Sequence, residues 1–318
     1  MPFLPLPHLL HRTRSGIPSD AVGVFELTGQ SNAGGTNGPE TDQSANTQAL
    51  WQDVENYARI WSRCRSDFQY DPDTLNLGTP TPPETQVDQW RPMTTGYGLQ
   101  GAKPWNAANP NIGPERVIAY YLHAFFGIPI YCIKCSQGGT SILDKGPDER
   151  DFNPKSAPKN DPAVRMWDVW VRYRTDALPA LRAEVGPKVP IYHLGHVFVH
   201  GTKDARPNDA PAYSAALQAQ IDGWRALTPG VPIAITRLQN YQIEDGSYFS
   251  NLSGTPDVRR AQMDLAEATA DAGWSDTDSG QRNADIDQIH FSGDGLVNVG
   301  TGAAYTLTSI DKPVLLPI

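Results

Sequence analysis

The sequence predicts a three-layer α/β fold, with a doubly wound parallel sheet between two layers of helices. Three observations predict it: apolar β-type runs recur along the chain, amphipathic helical segments lie between them, and a serine sits where the first run should turn into a helix. The β-type runs are 22–28, 128–135, 189–200 and 231–238, each long enough to cross a sheet buried on both faces. Gly113-Pro114-Glu115 opens a helix running to Phe126, with proline in the first turn and glutamate complementing the helix dipole. Val164, Trp167, Val171, Leu178, Leu181 and Val185 share a helical face, and Pro179 marks a kink or restart. Asp209 caps a further helix, with Pro211 in its first turn, Tyr213, Leu217, Ile221 and Trp224 on one face, and Thr228-Pro229-Gly230 as its stop. Thr255-Pro256 begins another that carries Val258, Leu265 and Ala268 inward and ends at Gly273, and Gly293-Asp294-Gly295 begins the last.

At 318 residues the chain is expected to form one large unit spanning 21–318, preceded by an arm or linker at 1–20. Residues 37–111 hold few periodic segments and many Pro, Gly, Thr, Asn and Gln, and read as a long loop insertion flanking the site. A net charge of −9, without any Lys/Arg run, excludes the electrostatic footprint of a nucleic-acid binder and argues against an anionic membrane surface as partner. No apolar stretch is long enough for a spanning helix, so a soluble protein is expected. Met1 to Asp20 places a proline-broken apolar run before basic residues, the reverse of a secretory signal, and could attach the chain to a larger assembly. Cys132 and Cys135 have redox-motif spacing, but in a strand residues three apart face opposite ways, so these read as buried free thiols, with Cys64 the third cysteine.

The chemistry is concentrated at two places. Gly29-Gln30-Ser31-Asn32 follows Val22 to Leu27 directly, and a serine at a sharp strand-to-helix turn is where many hydrolases hold their nucleophile. Near the other end, Asp287-Gln288-Ile289-His290 spaces a carboxylate and an imidazole so that one can orient the other, which makes Ser31, His290 and Asp287 a candidate triad. Against this, Ser31 alone could simply cap a helix, and Asp287 and His290 could be a surface pair. His193, His196 and His200 suggest metal spacing, but strand alternation sets His193 on the face opposite the other two, so no metal is expected. Asp276-Thr277-Asp278-Ser279-Gly280 lacks the later ligands of a calcium loop. Trp51, Trp61, Trp90 and Trp105 read as core of the insertion ahead of a sugar-stacking wall.

Four blocks in order, Gly29-Gln30-Ser31-Asn32, Ile112-Gly113-Pro114-Glu115, Lys134 with Gly138-Gly139-Thr140-Ser141, and Asp287-x-x-His290, resemble the SGNH (GDSL-like) hydrolases. The resemblance is to the carbohydrate-esterase branch that includes sialate O-acetylesterases and acetylxylan esterases, and it runs from about Val22 to Tyr305. It implies the flavodoxin-like SGNH fold and a cofactor-free serine esterase acting on O-acetyl esters of a carbohydrate, with Ser31 as nucleophile, His290 as base and Asp287 orienting it. The implied oxyanion donors are the backbone N–H groups of Ser31 and Gly113, and Gln30, Asn32, Gly139 and Thr140 are implied at the substrate. The chain departs from the branch in its third block, where Gln-Gly-Glu-Ser-Asp is replaced by His200-Gly201-Thr202-Lys203-Asp204. His200 can stand in for the glutamine as third donor, subject to its tautomer. The altered block also motivates a rival reading, a noncatalytic carbohydrate-binding or assembly protein on the same fold.

Overall fold

The computed structural model describes residues 16–35, 53–61, 68–70, 77–80, 89–93, 112–147, 149–157, 165–242, 245–278 and 289–318, with backbone alone for 68–70 and 77–80. The arm up to residue 15, most of the 37–111 segment, Cys64, Trp51, Trp105, Val164 and Asp287 lie outside them.

In chain order the elements are β1 (Val22–Gly29), α1 (Ser31–Gly34), α2 (Val54–Tyr57), β2 (Ala58–Trp61), β3 (Phe68–Tyr70), β4 (Leu77–Pro80), β5 (Arg91–Pro92), α3 (Glu115–Phe126), β6 (Ile130–Ser136), α4 (Met166–Val185), β7 (Ile191–Val199), α5 (Ala210–Leu227), β8 (Ile233–Thr236), α6 (Thr255–Ala268), β9 (Ala272–Ser275), α7 (Gly293–Ile310) and β10 (Val314–Leu315). The main sheet runs β5-β2-β6-β1-β7-β8-β9, and β1 pairs parallel with both β6 and β7. The chain thus leaves β1 for β2, β5 and β6 on one side and later crosses to β7 on the other. That reversal of winding opens a crevice at the carboxyl end of β1, where ligands bind in such sheets. Ser31 is the second residue beyond it.

Alternation along each strand separates two cores. Val22 and Val24 of β1 and Tyr131, Ile133 and Cys135 of β6 pack with α4, α5 and α6, whereas Phe25 and Leu27 with Ile130 and Cys132 pack with α3 and α7. Cys132 and Cys135 are therefore buried thiols on opposite faces, and burial raises both thiol pKa values.

Several expectations need correction. α4 runs through Pro179 as one helix, so the chain does not restart there. The helix from Thr255 ends at Ala268, short of Gly273, and Ala268 is exposed. Gly273 instead lies in β9, beyond a reversal at Asp271 with φ of 56°. There a Cβ would stand 2.8 Å from the Thr306 methyl of α7, so glycine admits close strand-to-helix packing rather than stopping a helix. Within the 37–111 segment, β2 pairs parallel with β6 and extends the sheet. Trp61 is buried, and Trp90 meets Trp61 and Tyr131 edge-on while its indole N–H donates to Ala177 O of α4 at 3.1 Å. These two tryptophans are core.

The histidine reading also changes. Val24 pairs with His193 and Phe25 with Gly195, so Leu194 is an extra residue and β7 carries a bulge. Gly195 takes φ of 154°, and its missing Cβ leaves room for Leu307. The bulge resets the alternation, and His193 and His196 end on the same face, their rings 3.4 and 3.9 Å from the carboxylate of Glu26. Arg174 donates to that carboxylate at 3.0 Å, and the His196 ring stacks on Trp224. Burial raises the Glu26 pKa, opposed by Arg174, and lowers that of His193 to about 3, so these imidazoles are neutral in the fold. Asp276 and Asp278 face Arg237, and Arg259 also pairs with Asp278. Among the described residues, no group of three or more His, Cys, Asp or Glu is arranged to hold a metal, and no helix is long and apolar enough to cross a membrane.

Candidate active site

The serine turn is forced by close backbone contact. Gly29 ends β1 at φ of 150°, a region that disfavours side chains, and a Cβ there would sit 2.1 Å from Val199 O. Gln30 N donates to that same carbonyl at 3.0 Å, which holds the β1 and β7 ends together as the chain turns. Ser31 then begins a one-turn helix, nearly buried at 9% exposure, and Gly138 lies beside it, where a Cβ would stand 3.8 Å from Ser31 Cβ, in ordinary contact.

The residues on either side of Ser31 hold the surrounding loops. Gln30 Nε2 donates to Thr140 O at 2.7 Å, and its Oε1 accepts from Gly201 N and Thr202 N, each at 2.8 Å. One buried amide thereby joins the Gly138–Ser141 loop to the segment after β7. Asn32 does the same toward the C-terminal loop: Nδ2 donates to Ile289 O at 3.4 Å and Oδ1 accepts from Phe291 N at 3.2 Å. Those two groups flank His290, so a side chain adjacent to Ser31 brackets the histidine's own backbone. Tyr241 adds a hydroxyl donated to Ile289 O at 3.3 Å.

Gly113 lies buried just before α3, with Ile112 O so close to Gly35 that a Cβ on Gly35 would sit 1.8 Å from it. The second block is thus packed against the end of the Ser31 turn. Gly139 takes φ of 69° in a turn, and buried Thr140 donates its hydroxyl to Gln137 O at 2.9 Å.

His200 follows β7 and is buried. Its ring stacks on Phe198 with centroids 5.1 Å apart, Nδ1 is 3.5 Å from the Asp204 carboxyl, and Nε2 is 3.5 Å from Thr140 Oγ1. Burial lowers its pKa to about 3, so the contact with Asp204 is not an ion pair. Burial pushes Asp204 up to about 7, against the opposing effect of donors from Ser141 Oγ and from Ile142 N at 3.1 Å. Asp204 thereby ties the glycine loop to the altered third block. A cleft beside these groups is bordered by Asn32, Thr202, Thr236, Arg237, Gln239 and Tyr241.

Of the sequence-predicted residues, Ser31, Gln30, Asn32, Gly138, Thr140, His200 and the backbone around His290 converge at the carboxyl ends of β1 and β7. Asp287 is outside the described residues. Sequence reasoning assigned no part to Tyr241 or Asp204. It also left a signal unused in Lys134, a lysine inside an apolar strand run, which burial would oblige to find a partner. That partner is Glu115 at 2.9 Å.

The fold is similar to that of three solved proteins. A protein from Arabidopsis thaliana superposes with a TM-score of 0.55 at 16% identity, covering 90% of this chain and 98% of that one. A carbohydrate acetylesterase from Xanthomonas citri gives 0.52 at 18% identity, covering 91% of this chain and 56% of that one, so this chain spans little more than half its length. NanS gives 0.55 at 14% identity, covering 91% and 97%. No family model matches the chain, and no curated protein matches its sequence.

Proposed function

On the three-layer SGNH-hydrolase fold that the chain shares with these proteins, we propose that it is a serine esterase that removes O-acetyl groups from a carbohydrate. The observation that supports this most is the Asn32 bracket, which ties the backbone on both sides of His290 to the residue next to Ser31. In this reading Ser31 Oγ attacks the acetyl carbonyl while His290 takes its proton. The tetrahedral intermediate then expels the sugar oxygen, which receives that proton from His290. Water, deprotonated by the same imidazole, hydrolyses the acetyl-enzyme to acetate and free Ser31. Asp287 orients the ring and stabilises its cationic form.

The negative oxygen is received by the N–H groups of Ser31 and Gly113, and loss of one such donor costs about 100- to 1000-fold in rate. His200 is the third donor, its ring neutral at any pH well above 3. Its Nε2 lies 3.5 Å from Thr140 Oγ1, and the tautomer with the hydrogen on Nε2 is the one that donates in this role. Gln30 and Asn32 act on substrate through the loops they hold, since their polar atoms are engaged within the protein. Gly139, exposed in its turn, borders the sugar, and Thr140, which is buried, supports that loop.

Acetate release by wild type and Ser31→Ala, from acetylated xylan, acetylated sialic acids and short nitrophenyl esters, tests the reading. Release that vanishes in the variant, with its fold intact, is expected. Undiminished release by Ser31→Ala would refute it, and sugar binding without turnover of any ester would point to a noncatalytic carbohydrate-binding protein.

A further inference from the structure

We propose that the buried Lys134–Glu115 pair is a positioning device that locks the Gly113 loop onto the Ser31 turn and so sets the oxyanion hole. The inference rests on the esterase reading, in which Gly113 N–H receives the developing charge. Lys134 lies in β6 on the face packed by α3, and both it and Glu115 are only 1% exposed. Its Nζ reaches two places at once: Glu115 Oε2 at 2.9 Å, and at 3.5 Å the carbonyl of Gly34, the last residue of α1. Glu115 begins α3, two residues after Gly113, and its carboxylate lies directly at the Gly113 backbone. A Cβ on Gly113 would stand 2.1 Å from Glu115 Oε2 and 2.6 Å from Lys134 Nζ. One ammonium therefore touches the end of the nucleophile's turn and, with its carboxylate, the loop that carries the second donor.

Filling space does not require this pair. A buried ion pair can commonly be replaced by uncharged residues of similar volume without loss of fold. What such a replacement lacks is direction: the ammonium donates along fixed lines to a carboxylate and a carbonyl on two separate segments. Their relative placement matters to the reaction because both N–H groups must meet one oxygen, and misplacement by about 1 Å costs on the order of 100-fold in rate.

The test uses Lys134→Met, Glu115→Gln and the double variant, with steady-state kinetics on nitrophenyl acetate, inhibition by a phenylboronic acid, and thermal melts by circular dichroism. The boronic acid takes up the serine oxygen to give a tetrahedral anion that needs the same donors as the transition state. The double variant carries no uncompensated buried charge, so it keeps the test decisive where a single variant fails to fold. In the folded double variant, kcat is expected to fall about 10- to 100-fold with KM little changed, and the boronate Ki to rise in parallel. A folded double variant with wild-type kcat and wild-type boronate affinity overturns the proposal, as does a loss of kcat that only follows the unfolded fraction. Failure of the underlying esterase reading shows separately, as wild-type protein without turnover or as Ser31→Ala with it.

Discussion

Replacing Asn32 with alanine removes both hydrogen bonds that bracket His290 while leaving every atom of Ser31 in place. The bond to Phe291 N, at 3.2 Å, is the better of the two, and the bond to Ile289 O, at 3.4 Å, is long. At about 1 kcal/mol for each bond of ordinary quality, and about 1 to 3 kcal/mol more for a buried Phe291 N–H left unpaired, the change amounts to about 2 to 4 kcal/mol. Tyr241 still holds Ile289 O, so the lower figure applies to the position of the loop. A bias of about 2 kcal/mol against the competent arrangement corresponds to roughly a 30-fold loss of kcat/KM. Asn32→Asp should fall between wild type and alanine, because its oxygen still accepts from Phe291 N while the donor to Ile289 O is lost. Steady-state hydrolysis of nitrophenyl acetate, beside a melt by circular dichroism, measures both quantities. A folded Asn32→Ala protein with kcat/KM within threefold of wild type would refute the argument that this side chain places the histidine.

Gly29→Ala puts a Cβ against Val199 O in a region disfavoured for side chains, and should cost more than about 3 kcal/mol in urea unfolding; a loss under 1 kcal/mol would show that the turn relaxes. His193 faces Glu26, Arg174 and His196, and its folded pKa of about 3 lies below the ordinary 6.5. The unfolded chain therefore binds a proton that the folded chain refuses, so this contribution to stability is full above pH 6.5 and is lost as pH falls toward 3. Glu26 and Asp204, with raised values, contribute with the opposite sign and remain in both proteins. In His193→Gln, the rise of unfolding free energy between pH 4.5 and 6.5 should be shallower by about one proton, on the order of 1.4 kcal/mol per pH unit. An unchanged slope in urea titrations would count against a neutral buried His193.

The four central strands were readable because a strand buried on both faces needs an unbroken apolar run, and the observed strands end within two residues of the limits of 22–28, 128–135, 189–200 and 231–238. β9 was missed for the opposite reason. Ala272-Gly273-Trp274-Ser275 is short and half-exposed, and its edge position comes from pairing with β8, a contact more than thirty residues away. The histidine faces failed through a local irregularity, since one bulge at Leu194 inverts every later side chain of β7, and the glycine that permits it reads like any other. No restart occurs at Pro179 because α4 is held along its length by packing of Trp167, Trp170, Leu178 and Leu181, which outweighs the helix-breaking tendency of one proline.

What local order of residues could settle was the layer architecture, the place of Ser31 at the end of the first strand and the residue types suited to acyl transfer. These depend on periodicity, on turn chemistry and on the intrinsic reactivity of a side chain, all of which act over a few neighbours. The roles of Gln30, Asn32, Asp204 and the Lys134–Glu115 pair depend on partners 60 to 260 residues away or on opposite sides of a strand, except for Glu115 at 19. Buried polar groups must find a partner, but which one is a matter of where the completed sheet and its helices bring backbone carbonyls and amides into reach. The residue types of the candidate site were thus written in the sequence, and its geometry came into being when β1, β6 and β7 were laid side by side.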